Sequence, residues 1–228
     1  MKKTEASSII KNLKKLSNPV NIEGMARFGI AVDKAFGVSK PKLRKMAKEI
    51  GKDHKLALKL WNAGYLESRI LASLIDEPER VTPKQMDRWA GDFDSWDVCD
   101  QCCLNLFDKT PYAYDKIKEW SSSKKEFVKR AAFALLAVMA VHDKTAGDGI
   151  FIKFFPLIKR ASTDERNFVR KAVNWALRSI GKRNESLRKK ALKLSGEVYK
   201  IDSKTAKWIA SDAIRELESR SIIKRIKK

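Results

Sequence analysis

A ten-residue stretch, 94–103, combines residue types that could carry chemistry. Asp94, Asp97 and Asp100 fall within seven residues of a chain that is otherwise strongly basic. The apolar run that follows predicts a helix for which Asp94 or Ser95 can act as the cap, and Asp94 is the residue we expect to do so. Residues four apart share a helix face, which places the Trp96 indole beside the Asp100 carboxylate. A carboxylate beside an aromatic ring repels phosphate, but it can interact favourably with a cation that is held close to a phosphate.

The charge balance of the chain favours a polyanionic partner. Lys and Arg number 49 against 28 Asp and Glu, which gives a net charge of +21 spread over all 228 residues. Such an excess favours nucleic acid first and an anionic membrane surface second. A soluble protein with a generally basic surface is the alternative that charge alone leaves open.

The cysteines are Cys99, Cys102 and Cys103, which lie too close together to build a long-range disulfide framework. They have no second pair of metal ligands, and His54 and His142 are isolated in the sequence. Packing as small apolar residues is therefore the better interpretation. We expect a reducing intracellular compartment, no metal and no cofactor.

The sequence also bears on membranes and on common enzyme motifs. Lys2 and Lys3 precede no apolar segment of the kind found in signal peptides, and the longest apolar run, 131–141, is too short to span a bilayer. We expect a cytoplasmic, nucleoid-associated protein without membrane contact. Walker A, dinucleotide-binding, serine-hydrolase and zinc-protease motifs do not occur, so those chemistries have no support.

Apolar residues recur at spacings of three and four nearly everywhere, and period-two alternation is almost absent. The pattern predicts a dozen or so helices joined by short turns. Among them are 22–33, 127–141, 150–158 and 168–180. The chain is predicted to be all-α, with one domain over residues 1–228 and fraying of its last eight residues.

An internal repeat organises these helices. Segment 127–132 (FVKRAA) matches segment 168–173 (FVRKAV) at an offset of 41 residues. Two-helix units of this size are typical of HEAT and armadillo repeats, so we predict an α-α superhelix (solenoid) of HEAT-like repeats with a concave basic groove. Equivalent positions of stacked repeats form a row, here Arg69, Asp100, Arg130 and Lys171. Alternatively, Asp100 merely pairs with one of these arginines and the nearby tryptophans belong to the core.

The segment 36–41 predicts a turn that leads into a helix. Ser39 can act as its N-cap, and Pro41 suits its first turn. With Lys40 and Arg44 nearby, the free N–H groups of this helix start could meet a phosphate. Ordinary capping is the simpler interpretation of Ser39.

Taken in order, these segments resemble the AlkD-like DNA alkylation repair family, the HEAT-like-repeat alkylpurine DNA glycosylases. The resemblance covers most of the chain up to about residue 183. It is carried by 25–28 (MARF), 37–44, 96–100 (WDVCD), 129–132 (KRAA) and 171–178 (KAVNWALR). No single segment is specific, but the ordered set is, with W-x-x-x-D followed by a later W-x-x-R.

The resemblance implies excision of cationic alkylated purines, such as 3-methyladenine and 7-methylguanine, from duplex DNA. The sequence shows no compelling lysine nucleophile for a lyase step, so we expect a monofunctional glycosylase, acting as a monomer, that begins base excision repair. Some members of this family act without swinging the lesion into a pocket, unlike most glycosylases. The residues at the matching catalytic positions are Asp100, Trp96, Trp175 and Arg130. The DNA-binding residues expected from the matched segments and the cationic row are Arg27, Phe28, Ser39, Lys40, Arg44, Lys48, Arg69, Lys129, Lys171 and Arg178.

The chemistry of such a substrate agrees with the residues. A cationic purine leaves as a neutral base, so the enzyme needs negative charge near the oxocarbenium-like sugar and a positioned water, both of which Asp100 can supply. Phe28 departs from the family pattern, which has Tyr there, so a hydroxyl contact is lost. Two alternatives are a relative that binds DNA structures without catalysis and a solenoid scaffold that binds proteins.

Overall fold

The structure, a computed structural model, describes residues 5–226, and this range is built from α-helices and contains no strand. Lys2 and Lys3, and the last two lysines of the tail expected to fray, lie outside the described residues. The chain divides into two compact units, Met1–Thr110 and Pro111–Lys228. The all-α prediction is confirmed. The single domain and the frayed tail stay predictions.

The first unit contains, from residue 5 onwards, seven α-helices joined by short connections. They are α1 (Ala6–Lys15), α2 (Pro19–Arg27), α3 (Lys40–Ile50), α4 (His54–Asn62), α5 (Leu66–Ile75), α6 (Pro83–Gly91) and α7 (Trp96–Asn105). Helix α5 packs against α3, α4 and α7 and so lies at the centre of the unit. The buried Trp61 and Trp89 indoles stack in this core, with ring centroids 3.9 Å apart and planes 2° from parallel.

The second unit contains eight α-helices in its described part. They are α8 (Ala113–Trp120), α9 (Glu126–His142), α10 (Asp148–Ile152), α11 (Phe155–Ala161), α12 (Asn167–Gly181), α13 (Glu185–Tyr199), α14 (Lys204–Leu217) and α15 (Arg220–Ile226). Helix α12 packs against α9 on one side and α14 on the other. The Phe127 and Phe168 rings, equivalent at the offset of 41, lie with centroids 5.4 Å apart. Equivalent positions of these two repeats are therefore neighbours, as the repeat predicts.

Two helices differ from the pattern for local reasons. Helix α2 ends at Arg27 instead of near residue 33, because the chain turns at Gly29 with a φ of +72°. The predicted helix 150–158 is two short helices, α10 and α11. Pro156 lies in the first turn of α11 and cannot donate the hydrogen bond that a continuous helix would need.

The long loop between α2 and α3 has a fixed conformation. Gly37 has a φ of +73°, and a Cβ atom there would lie 2.3 Å from the carbonyl oxygen of Asn18, so glycine is required. The Asn21 side chain donates to the Gly37 carbonyl oxygen at 2.8 Å. The backbone N–H of Asn18 donates to the Phe36 carbonyl oxygen at 2.7 Å. These bonds hold the loop against the start of α2.

Candidate functional site

The first half of α7 presents Trp96 and Asp100, both half-buried. The Trp96 Nε1–H donates a hydrogen bond to the carbonyl oxygen of Phe28 at 3.0 Å. This bond fixes the edge of the indole against the loop that follows α2. Asp100 lies one turn further along α7, on the face of the helix that carries Trp96. The structure thus joins Trp96 to the Phe28 backbone, and Asp100 lies one turn along the same helix.

Trp96 lines an open, mostly apolar cavity of about 530 Å³. Phe28, Ser39 and Lys40 are among its lining residues, so three of the predicted DNA-binding residues lie beside Trp96. The Phe28 side chain is 74% exposed, although an aromatic ring usually gains from burial. An exposed ring next to a basic helix start is suited to contact a nucleic acid base.

Glu67 positions this loop, and sequence reasoning missed it. Its buried carboxylate accepts hydrogen bonds from three consecutive backbone N–H groups, those of Phe36, Gly37 and Val38, at 2.9, 2.6 and 3.2 Å. The carboxylate therefore occupies an anion-binding arrangement of N–H groups just before Ser39. A phosphate cannot bind these N–H groups, because the Glu67 carboxylate already accepts from them. The N–H groups at the start of α3 are a different set.

The remaining two aspartates of the stretch have structural roles. The nearly buried Asp97 carboxylate forms an ion pair with Lys40, which ties α7 to the start of α3. Of the two predicted caps of α7, Ser95 occupies the N-cap position, so the preference for Asp94 is wrong. The Asp94 carboxylate instead accepts a hydrogen bond from Arg69 Nη1 at 3.3 Å.

In the second unit, Lys129 and Arg130 lie in the first half of α9 and both hold neighbouring structure. Arg130 is 6% exposed, and its Nη1 donates to the Phe168 carbonyl oxygen at 2.7 Å. Lys129 forms an ion pair with Asp164 at 2.9 Å. Hydrogen bonds from Arg166, and then the charge of Lys129, hold the pKa of the Asp164 carboxyl well below its usual value. Arg130 is thus a rigid residue whose charge is largely desolvated.

Helix α12 carries Trp175, Lys171 and Arg178. Trp175 is half-buried and Lys171 is exposed one turn earlier. Arg178 pairs with Glu216 and with Asp212, the latter at 3.4 Å. Burial raises the pKa of the Glu216 carboxyl, but hydrogen bonding from Lys182 and the charge of Arg178 outweigh it and leave that pKa below its usual value.

The predicted DNA-binding cations therefore fall into two groups. Those that are partly buried and paired with an acid are Lys40, Arg69, Lys129 and Arg178. Those whose side chains are exposed are Arg27, Arg44, Lys48 and Lys171, of which Arg27 forms an ion pair with Glu23 at 3.9 Å. The exposed group is the better placed to meet phosphate. The joint catalytic role of Trp96, Asp100, Arg130 and Trp175, and the concave basic groove, stay predictions.

The three cysteines form no disulfide and are fully buried, which confirms that they are buried as small residues. Burial raises the pKa of the Cys102 and Cys103 thiols. Within residues 5–226, His, Cys, Asp and Glu side chains form no group of three or more that could hold a metal ion.

Over the same range, every helix is too short or too polar to cross a membrane.

The fold and these residues define an all-helical protein of the HEAT-like repeat class. The family model described as DNA alkylation repair enzyme matches residues 9–217, so the chain belongs to that family. This confirms the family inferred from the sequence. A search of curated proteins finds no match.

Solved structures agree with this class. The chain is similar to a member of a family described as related to the HEAT-like repeat DNA glycosylases with affinity for branched DNA structures. The identity is 18%, the TM-score is 0.78, and the match covers 93% of this chain and 95% of the other. A designed armadillo repeat protein in complex with the peptide (KR)4 matches at 13% identity and a TM-score of 0.37, over 81% and 88% of the two chains. The first comparison confirms the HEAT-like repeat fold, whereas the second is too distant to carry an argument.

Proposed function

We propose that the protein is a monofunctional DNA glycosylase that hydrolyses the N-glycosidic bond of cationic alkylated purines, such as 3-methyladenine and 7-methylguanine, in duplex DNA. The observation that carries the proposal is the pairing of Trp96 and Asp100 on one face of α7, with the indole fixed by the Phe28 carbonyl. Membership of the DNA alkylation repair family and the net charge of +21 support it.

The reaction needs little acid catalysis, because N3- or N7-alkylation already makes the purine a good leaving group. As the glycosidic bond breaks, positive charge develops on the deoxyribose. Asp100 would stabilise that charge and orient the attacking water. The Trp96 and Trp175 indoles would hold the cationic base and sugar through cation–π contacts of about 1 kcal/mol each. Exposed cations such as Arg44 and Lys48 would hold the phosphates.

The test compares base release from DNA carrying 7-methylguanine by the wild type and by Asp100→Asn. We expect the variant to be slower by about 10²–10³-fold, the usual loss when a charge-stabilising group is removed. Asp94→Asn is a matched control, since it makes the same change six residues earlier at a side chain that is 57% exposed. Equal rates for the wild type and Asp100→Asn would refute the role of Asp100.

A second candidate function is binding to branched DNA without catalysis. It is favoured by the likeness to the family described as having affinity for branched DNA structures. A protein of this kind would bind a four-way junction more tightly than linear duplex, with steep salt dependence, and would release no base from any alkylated DNA. Base release by the wild type would exclude it. For both functions we propose that the protein acts on DNA inside the cell as a monomer. Light scattering, which measures the molecular mass with and without DNA, tests the monomeric state.

A further inference from the structure

The second unit contains a cavity of about 690 Å³ that has Trp175 in its wall. It lies where α9 and α12 end and where α15 passes. Four cationic side chains line it, Lys144, Lys182, Arg183 and Arg225, and no Asp or Glu is among its lining residues within the described chain. Its volume is that of a small-molecule site, which typically measures about 300–1,000 Å³.

Arg183 is the fixed part of this cavity. Its Nη1 donates to the Ala140 carbonyl oxygen at 2.7 Å and its Nη2 to the Ala146 carbonyl oxygen at 3.0 Å. Its guanidinium carbon lies 4.3 Å from the centroid of the Phe151 ring. These contacts hold the guanidinium in place against one carbonyl group at the end of α9 and one in the loop that follows it, and none of them is to a carboxylate. A fixed, partly buried cation raises the affinity of a cavity for an anion.

The other cations differ in how far they are neutralised. Lys182 forms an ion pair with Glu216 at 2.6 Å, so part of its charge is balanced. Lys144 and Arg225 have exposed side chains at the cavity mouth. The cavity therefore combines one aromatic wall with at least three cations that can face a ligand. A flat ring joined to a phosphate, which is the composition of a nucleotide, satisfies both features.

We propose that this cavity binds one unpaired nucleotide of DNA, with its base against Trp175 and its phosphate against Lys144, Arg183 and Arg225. The proposal rests on the protein being a DNA-binding member of its family. It goes beyond the proposed base release, because it gives the protein a preference for DNA with an unpaired nucleotide, damaged or not. It also differs from the family members that act without swinging a nucleotide into a pocket.

The test measures binding by fluorescence anisotropy to two labelled duplexes that differ by one unpaired adenosine, a bulge. An unpaired base is already partly unstacked, so moving it into the cavity costs little. Stacking of one base on an aromatic side chain changes affinity by about 5–150-fold. We therefore expect the wild type to bind the bulged duplex at least about fivefold more tightly than the paired one.

Lys144→Gln combined with Arg225→Gln should abolish this preference while leaving binding to the paired duplex only moderately weaker. The matched control combines Lys118→Gln with Lys189→Gln, which removes two charges from exposed side chains of the same unit outside the cavity. Both double variants lose non-specific affinity through the lost charge, but only the first should lose the preference.

The outcomes separate this proposal from the proposed enzyme activity. A wild type that releases 7-methylguanine but binds both duplexes equally would refute the cavity proposal alone. A wild type that prefers the bulge but releases no base would refute the glycosylase proposal alone. Equal loss of preference in the two double variants would show that the cavity is not its source.

Discussion

Glu67 should be essential for the loop that carries the predicted DNA contacts. Its carboxylate Oε1 accepts from the N–H groups of Gly37 and Val38, and its Oε2 accepts from that of Phe36. The side chain is 0% exposed, so water cannot replace these bonds. Glu67→Gln keeps the size of the side chain but turns one acceptor atom into an NH₂ donor.

The magnitude follows from the hydrogen bonds. Whichever way the amide of Gln is turned, its NH₂ group faces at least one buried backbone N–H and leaves it unsatisfied, at a cost of about 1–3 kcal/mol. The bonds that remain lose the help of the negative charge, which roughly halves their strength. The lower cost of burying a neutral amide offsets part of this loss. We expect the free energy of unfolding of the first unit to fall by about 2–4 kcal/mol.

The assay is urea unfolding followed by circular dichroism. The stacked Trp61 and Trp89 indoles give a signal that reports on the first unit. Glu49→Gln is the matched control, because it makes the same change at an exposed position on α3 and should shift stability by less than about 0.5 kcal/mol. If Glu67→Gln unfolds at the same urea concentration as Glu49→Gln, the account of the loop is wrong.

Two further predictions concern one residue in each unit. Phe28→Ala should weaken binding to duplex DNA about fivefold or more, because a stacking surface is lost, and should leave the urea midpoint unchanged, because the ring is 74% exposed. Asp164→Asn should lower the free energy of unfolding at pH 7 by about 1–2 kcal/mol, because the ion pairs with Lys129 and Arg166 are lost. Since the folded state lowers the pKa of Asp164 from 3.8, the wild-type advantage should be full well above pH 3.8 and shrink as the pH falls below it.

Each of these predictions has a control. Tyr199→Ala removes another exposed aromatic ring, 50% exposed, and should not alter DNA affinity; an equal loss in both variants would contradict a specific role for Phe28. Asp202→Asn changes a fully exposed aspartate and should leave stability unchanged at every pH. A stability difference between Asp164→Asn and the wild type that did not depend on pH would contradict the assigned ion pairs.

The helices were predictable because their signal is local. The apolar run at 127–141 is found as α9, Glu126–His142, and the pattern at 168–180 as α12, Asn167–Gly181. Helix α2 was predicted too long because the buried Ile30 continues the helical period, although it belongs to the loop. Hydrophobic periodicity records burial and does not show whether the backbone around a buried residue is helical.

The contacts that position the site were not predictable, because they join residues far apart in the chain. Glu67 lies 31 residues from Phe36, and Lys40 lies 57 from Asp97. In the sequence, Glu67 has the character of a solvated residue near a helix start. The one signal available was the composition of the α5 segment, in which Arg69 is the only other charged residue and apolar residues predominate. The Trp96 and Asp100 pair was predictable because a spacing of four is local.

Burial of the three thiols of α7 affects how readily methylating agents can modify the protein. Methylating agents react with thiolates far faster than with thiols, and a raised pKa keeps Cys102 and Cys103 protonated. Burial also shields all three sulfur atoms from reagents in solution. A protein with the proposed glycosylase function would meet such agents whenever its substrates form. While the first unit is folded, its cysteines are not targets for them, so the helix that carries Trp96 and Asp100 remains chemically intact.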